Sequence, residues 1–171
     1  ADGLMTKQTD ANGNTTETEY DENRRVIRKS FFNKSRNAYD DQITYTYDAY
    51  GRLTEANGRN SREAYTYDRL GRMTRKETTA DGKTYAFDYE YDELGNLSRK
   101  TYPFGYSLSY GYTNGELTDI TDNKGRHIWH LDSKNAYGQT TGYTWGNGVK
   151  STNAYNTRGM LVSQTTGTKH I

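Results

Sequence analysis

Three aspartates in this chain occupy the same local setting. They stand in Tyr47-Asp48-Ala49-Tyr50-Gly51-Arg52-Leu53, Tyr67-Asp68-Arg69-Leu70-Gly71-Arg72-Met73 and Tyr91-Asp92-Glu93-Leu94-Gly95-Asn96-Leu97. A carboxylate beside tyrosine and arginine has the makings of an acid–base site. Paired catalytic carboxylates, however, work because dissimilar environments push their proton affinities apart. Equivalent positions in a repeat supply no such difference, so these carboxylates are expected to cap turns. His127-Ile128-Trp129-His130 is the other chemical candidate. Imidazoles three residues apart on a strand point to opposite faces, which predicts solvated or cross-strand histidines and no metal site. The oxygens between Asp119 and Asp132 lack the D-x-[DN]-x-[DN]-G spacing of a calcium loop, and no serine or threonine sits in a nucleophile motif. The expectation is a protein without catalytic residues, cofactor or metal.

The tyrosines carry the remaining chemistry. Each repeat tyrosine tends to have a second one two residues earlier, as in Tyr45/Tyr47, Tyr65/Tyr67, Tyr89/Tyr91 and Tyr110/Tyr112. Side chains two apart share a face only in a strand. Such a ladder, interleaved with arginine, could stiffen a sheet by stacking, or could stack on the sugar rings of a cell-surface glycan if exposed.

A unit recurring about every twenty residues implies a one-dimensional array. Tyrosine anchors stand at Tyr20, Tyr47, Tyr67, Tyr91, Tyr112 and Tyr155, and Lys134 fills the same place before Asn135-Ala136-Tyr137-Gly138, giving spacings of 27, 20, 24, 21, 22 and 21. Asp48 to Gly51, Asp68 to Gly71 and Asp92 to Gly95 suit a turn opened by a capping carboxylate and closed by a glycine at positive φ. Asn156 before Gly159 keeps the side-chain acceptor. Tyr112 reaches Gly115 one residue early, and Tyr20-Asp21 is followed by Arg24 where glycine belongs.

Pairing the residue after each such turn with the next anchor places a second turn midway. Between Arg72 and Tyr91 the midpoint is Asp81-Gly82, a favoured two-residue hairpin loop. Leu4 with Tyr20, Asn96 with Tyr112 and Gln139 with Tyr155 point to Asn12, Phe104 and Asn147, each followed directly by glycine. The longest hairpin calls for a larger loop around Lys34 to Asn37. The predicted fold is all-β: one antiparallel hairpin meander of about fourteen strands, forming a single sheet that twists and coils. The whole of 1–171 reads as one array of about seven repeats of roughly 20–27 residues, cut from a longer chain. Its tyrosine face is expected to carry Arg52, Thr54, Arg72, Thr74 and Ser98. Val26, Leu53, Met73, Leu97, Leu117 and Leu161 are expected on the opposite face, and unpaired terminal strands predict edge-to-edge self-association.

Composition agrees. Only 31% of residues are hydrophobic, yet 17 tyrosines and a single proline set the chain apart from disordered sequences. A net charge of +1 gives no footing for nucleic acid. There is no cysteine for disulfides, and no apolar run approaches a membrane span. No signal peptide opens the sequence.

The motifs at 45–53, 65–73 and 89–97 resemble the YD repeats of the RHS family, with degenerate copies over essentially all of the chain. The resemblance implies that Tyr20, Asp21, Tyr45, Tyr47, Asp48, Gly51, Tyr65, Tyr67, Asp68, Gly71, Tyr89, Tyr91, Asp92, Gly95, Tyr110, Tyr112, Gly115, Gly138, Tyr155, Asn156 and Gly159 are structural repeat residues. It further implies a strip that spirals into a shell around the toxic domain of a secreted or cell-surface bacterial protein. Expected partners are the rest of its own array, an encapsulated or appended domain, and, in the alternative reading, cell-surface glycans. The family's proline-rich lead-in and aspartate-containing self-cleavage motif do not appear; Pro103 is the only proline.

Overall fold

The computed structural model describes residues 3–167. Fifteen strands follow one another in chain order, each antiparallel to its neighbour, with a short 3-10 turn at Pro103–Gly105. The chain divides into two units, 1–87 and 88–171. The first holds β1 (Lys7–Thr9), β2 (Thr15–Tyr20), β3 (Val26–Asn33), β4 (Ala38–Tyr47), β5 (Leu53–Asn57), β6 (Ser61–Tyr67), β7 (Met73–Ala80) and the start of β8 (Lys83–Tyr91). The second holds the end of β8, then β9 (Leu97–Thr101), β10 (Ser107–Thr113), β11 (Glu116–Asp122), β12 (His127–Lys134), β13 (Thr140–Trp145), β14 (Lys150–Tyr155) and β15 (Leu161–Thr166). Among the described residues the strands number fifteen, where about fourteen were expected.

The turns fall where the tyrosine spacing required them. Lys7 faces Glu17, Ser107 faces Thr101 and Gly142 faces Thr152, the registers that continue Leu4 opposite Tyr20, Asn96 opposite Tyr112 and Gln139 opposite Tyr155. Asp81 and Gly82 both take positive φ, 49° and 74°, as a two-residue hairpin loop demands. Asn114 and Gly115 do the same, at 52° and 80°. The early glycine after Tyr112 thus belongs to a second tight two-residue hairpin, here Asn-Gly, a turn of a different kind from its neighbours. A turn absent from the sequence reading closes Asp122 to Gly125, with Asp122 N–H donating to Arg126 O at 2.9 Å. Thr121 stands where the marker tyrosine would be.

The expected separation of aliphatic and tyrosine faces is overturned. Val26, Leu53, Met73, Leu97, Leu117 and Leu161 lie directly across from Tyr20, Tyr47, Tyr67, Tyr91, Tyr112 and Tyr155. Opposed residues of an antiparallel pair share a face, so each aliphatic residue sits beside its tyrosine. The cause is a register shift beside every one of these tyrosines, which inserts one extra residue in the strand after the turn. That residue is Thr54, Thr74, Ser98 or Thr118 in four cases. The Thr54 hydroxyl donates to Thr46 O at 3.1 Å and that of Thr118 to Gly111 O at 3.2 Å, filling acceptors in the disturbed ladder.

Among the described residues no apolar side chain is buried; the buried side chains are polar, those of Ser107, Ser151 and Asp122, and Gly142 is the remaining buried position. A single layer of sheet has no second layer to enclose a core. Its stability must come from the ladders, the turns and what lies on the half-buried tyrosine face.

Candidate functional site, the repeated turn

Each repeat turn is a closed polar unit. Asp68 Oδ1 accepts the N–H of Leu70 and of Arg72, both at 2.9 Å, and Oδ2 accepts Arg72 Nε at 2.7 Å. The Gly71 N–H donates to Asp68 O at 3.0 Å, and Asp68 N–H to Arg72 O at 2.9 Å. Asp48 with Arg52, Asp21 with Arg25 and Asp122 with Arg126 repeat the pattern. Asp92 uses Asn96 instead, at 2.8 and 3.0 Å. Asn135 and Asn156 supply the neutral version, accepting from Tyr137 and Gln139, and from Arg158 and Met160.

These bonds consume the carboxylates. The Arg25 backbone N–H and guanidinium hold Asp21 below its usual range. At Asp48 and Asp68 partial desolvation pushes upward, but the bonds to Arg52 and Arg72 outweigh it and both are lowered. Asn96 lowers Asp92, and Arg126 lowers Asp122. A carboxylate stabilised as the anion and already bonded by its own turn is poorly placed to move protons. The capping role expected from the sequence is the one this geometry supports.

Arginine links one turn to the next. The Arg52 guanidinium lies 4.6 Å from the Tyr67 ring centre, and its Nη1 reaches Asp68 O at 3.4 Å. Arg25 lies 4.7 Å over Tyr47. Gln139 makes the equivalent reach in the second unit, donating from Nε2 to Gly159 O at 2.8 Å. Where the sequence suggested ring-on-ring stacking, Tyr47 and Tyr67 stack on guanidinium groups.

The tyrosine hydroxyls point back along the array. Tyr20 donates to Met5 O at 2.9 Å, Tyr47 to Val26 O at 2.7 Å and Tyr67 to Leu53 O at 2.8 Å. Tyr112 donates to Leu97 O at 3.1 Å and Tyr155 to Thr140 O at 3.0 Å. From Tyr47 onward these acceptors are the first strand residues after a preceding turn, beside the inserted residue. A phenol thereby satisfies a main-chain carbonyl where the ladder is displaced. Sequence reasoning missed the arginines' double role; its signal was their recurrence directly after Gly51, Gly71 and Gly125.

Of the paired tyrosines one step inward, Tyr65 and Tyr89 lie against charged groups. Tyr65 bonds Glu63 and lies 5.5 Å from Lys76 Nζ, and Tyr89 lies 5.5 Å from Lys100 Nζ. Tyr45 faces Ala56 and Tyr110 faces Ile120. Gly51, Gly71, Gly95, Gly115, Gly138 and Gly159 all carry positive φ.

The histidines depart from expectation. His127 and His130 lie on the same face, ring centres 6.1 Å apart, and the Nδ1 atoms of both approach Asp119 Oδ1, at 3.2 and 2.7 Å. A register shift between Ile120 and Thr121 sets Thr121 against His127, making Ile128 an extra residue and turning His127 onto His130's side.

Residues 1–30, 47–84 and 91–127 match the family model described as RHS Repeat. No curated protein sequence matches. Solved structures share the fold. The crystal structure of TcdB2-TccC3 without its hypervariable C-terminal region superposes with a TM-score of 0.78 at 13% identity, covering 94% of this chain and 9% of that one. TcdB2-TccC3 itself gives 0.56 at 20% identity, over 98% of this chain and 9% of that chain. The Photorhabdus luminescens Tc holotoxin pore gives 0.56 at 19%, over 97% of this chain and 8% of that chain. This sequence therefore spans under a tenth of the length of the chains it resembles.

Proposed function

Because this chain belongs to the RHS-repeat family, we propose that it is a non-catalytic wall segment of an RHS β-shell that encloses or presents another domain of a larger, exported bacterial protein. The observation that carries this is the linkage between turns. Each turn's carboxylate is spent on its own arginine or asparagine, while arginine and tyrosine reach into the adjoining repeat. Such a unit transmits register along a strip and leaves no group poised to react. The half-buried tyrosine face is engaged by backbone carbonyls and guanidinium groups, which supports a wall in preference to a glycan platform. β1 and β15 stand at the two ends of the strand order, and in the parent protein they would pair with the neighbouring repeats of the array. Among the described residues no helix is long and apolar enough to cross a membrane.

The test is protease protection in the parent protein. A domain enclosed by the array should resist digestion until the shell is opened by denaturant, and then be cleaved at once. Equal cleavage in both conditions would overturn enclosure. Selective binding of the isolated chain on a glycan array, weakened in a folded Tyr67→Phe/Tyr91→Phe double variant, would replace the wall with an adhesion module.

A further inference from the structure

We propose that Asp119, His127 and His130 form a binding site for one first-row divalent transition-metal ion, with zinc the best chemical match. Their ligand atoms all lie within 4.8 Å of one another. A tetrahedral zinc with bonds of about 2.0–2.1 Å holds its ligand atoms about 3.3 Å apart. The two separations from Asp119 Oδ1, 3.2 and 2.7 Å, need only small side-chain adjustments to admit the ion between them. Two imidazoles and one carboxylate form a borderline donor set that suits zinc and its neighbours better than calcium or magnesium. The side chains are 31%, 64% and 48% exposed, so the ion has a path in and water can complete its coordination.

The backbone builds this arrangement by two devices acting on one bulge. The bulge on β12 brings His127 onto the face of His130, and Asp119 stands directly across from His130 on β11. On the other side, Gly146 N–H donates to Ile128 O at 2.8 Å, clasping the bulge. A Cβ on Gly146 would stand 2.2 Å from His127 O and 3.0 Å from Ile128 Cα, so any other residue there must displace the bulge. Gly111, across from Asp119, leaves the space beside that carboxylate clear, the nearest atom to a Cβ there being Asp119 Cβ at 3.4 Å. An ion held here would tie β11 to β12 across the displaced ladder and bind the folded chain only, so it would raise the melting temperature with concentration.

The experiment is calorimetric titration of the untagged chain with zinc chloride at pH 7.5, with circular dichroism on every variant. One ion per chain is expected. His130→Ala, His127→Ala and Asp119→Asn should each lower the affinity by at least about 100-fold. Gly146→Ala keeps all three ligands yet should weaken binding at least about tenfold while the β spectrum persists. Absence of binding at millimolar zinc, or binding indifferent to His130→Ala in the folded variant, would overturn the proposal. Should Gly146→Ala unfold the chain, the exposed His130→Ala variant alone decides.

Discussion

Replacing Gly71 by valine tests the turn geometry at its most constrained point. Gly71 sits at φ +84°, with its N–H bonded to Asp68 O at 3.0 Å. Left-handed backbone costs an L-residue about 1–2 kcal/mol, and a β-branched side chain more. Removing glycine also restricts the unfolded chain, which returns about 0.4–1 kcal/mol. A net loss of about 1–3 kcal/mol follows for Gly71→Val. Crowding adds little, because a Cβ would meet Arg52 Nη1 at 3.4 Å, ordinary contact with the end of a flexible side chain. Urea unfolding followed by circular dichroism and tyrosine fluorescence gives the numbers, with coincident transitions required before a free energy is extracted. The series should run asparagine least, alanine intermediate, valine most damaging, since asparagine tolerates positive φ. Equal losses for asparagine and valine would mean that side-chain size sets the cost. No loss for valine would refute the turn argument altogether.

Tyr67→Phe keeps the ring under Arg52 but removes the donor to Leu53 O at 2.8 Å, so a loss of about 0.5–1.5 kcal/mol in the same urea assay is expected. Arg24, a non-glycine at φ 63°, should gain about 0.5–1 kcal/mol on replacement by glycine; a loss would show that its side chain outweighs the strain. The lowered carboxyls of Asp21, Asp48, Asp68, Asp92 and Asp122 contribute stability that is complete above the unfolded value of about 3.9. That stability should drain away as pH falls through the lower folded values, visible as a falling urea midpoint between pH 5 and pH 2. On the same pH descent, amide exchange should loosen at Gly71 before Gly159, whose turn is capped by uncharged Asn156.

Local rules made the turns legible. Glycine and aspartate positions encode backbone geometry directly, and the recurring tyrosine anchors carried the register across whole hairpins, down to Asp81-Gly82. The bulges were not legible. An inserted Thr54 or Thr74 looks like ordinary strand, yet each shifts the pleat by one residue. That is why Leu53 and Met73 sit beside tyrosines, and why His127 joins His130. The turn at Asp122 escaped notice because Thr121 replaces the tyrosine that marks the others, although its Asp-x-x-Gly-Arg spacing equals that of Asp48 and Asp68. The hydroxyl-to-carbonyl bonds depend on those same bulges and could not be read before them.

Electron cryo-microscopy of the parent protein bears most directly on the central claim. A wall segment predicts that these residues form part of a continuous β-strip bordering a closed cavity, with density for another domain inside it or presented by it. Finding the same strands as a free-standing surface lobe, bordering no cavity, would contradict the account.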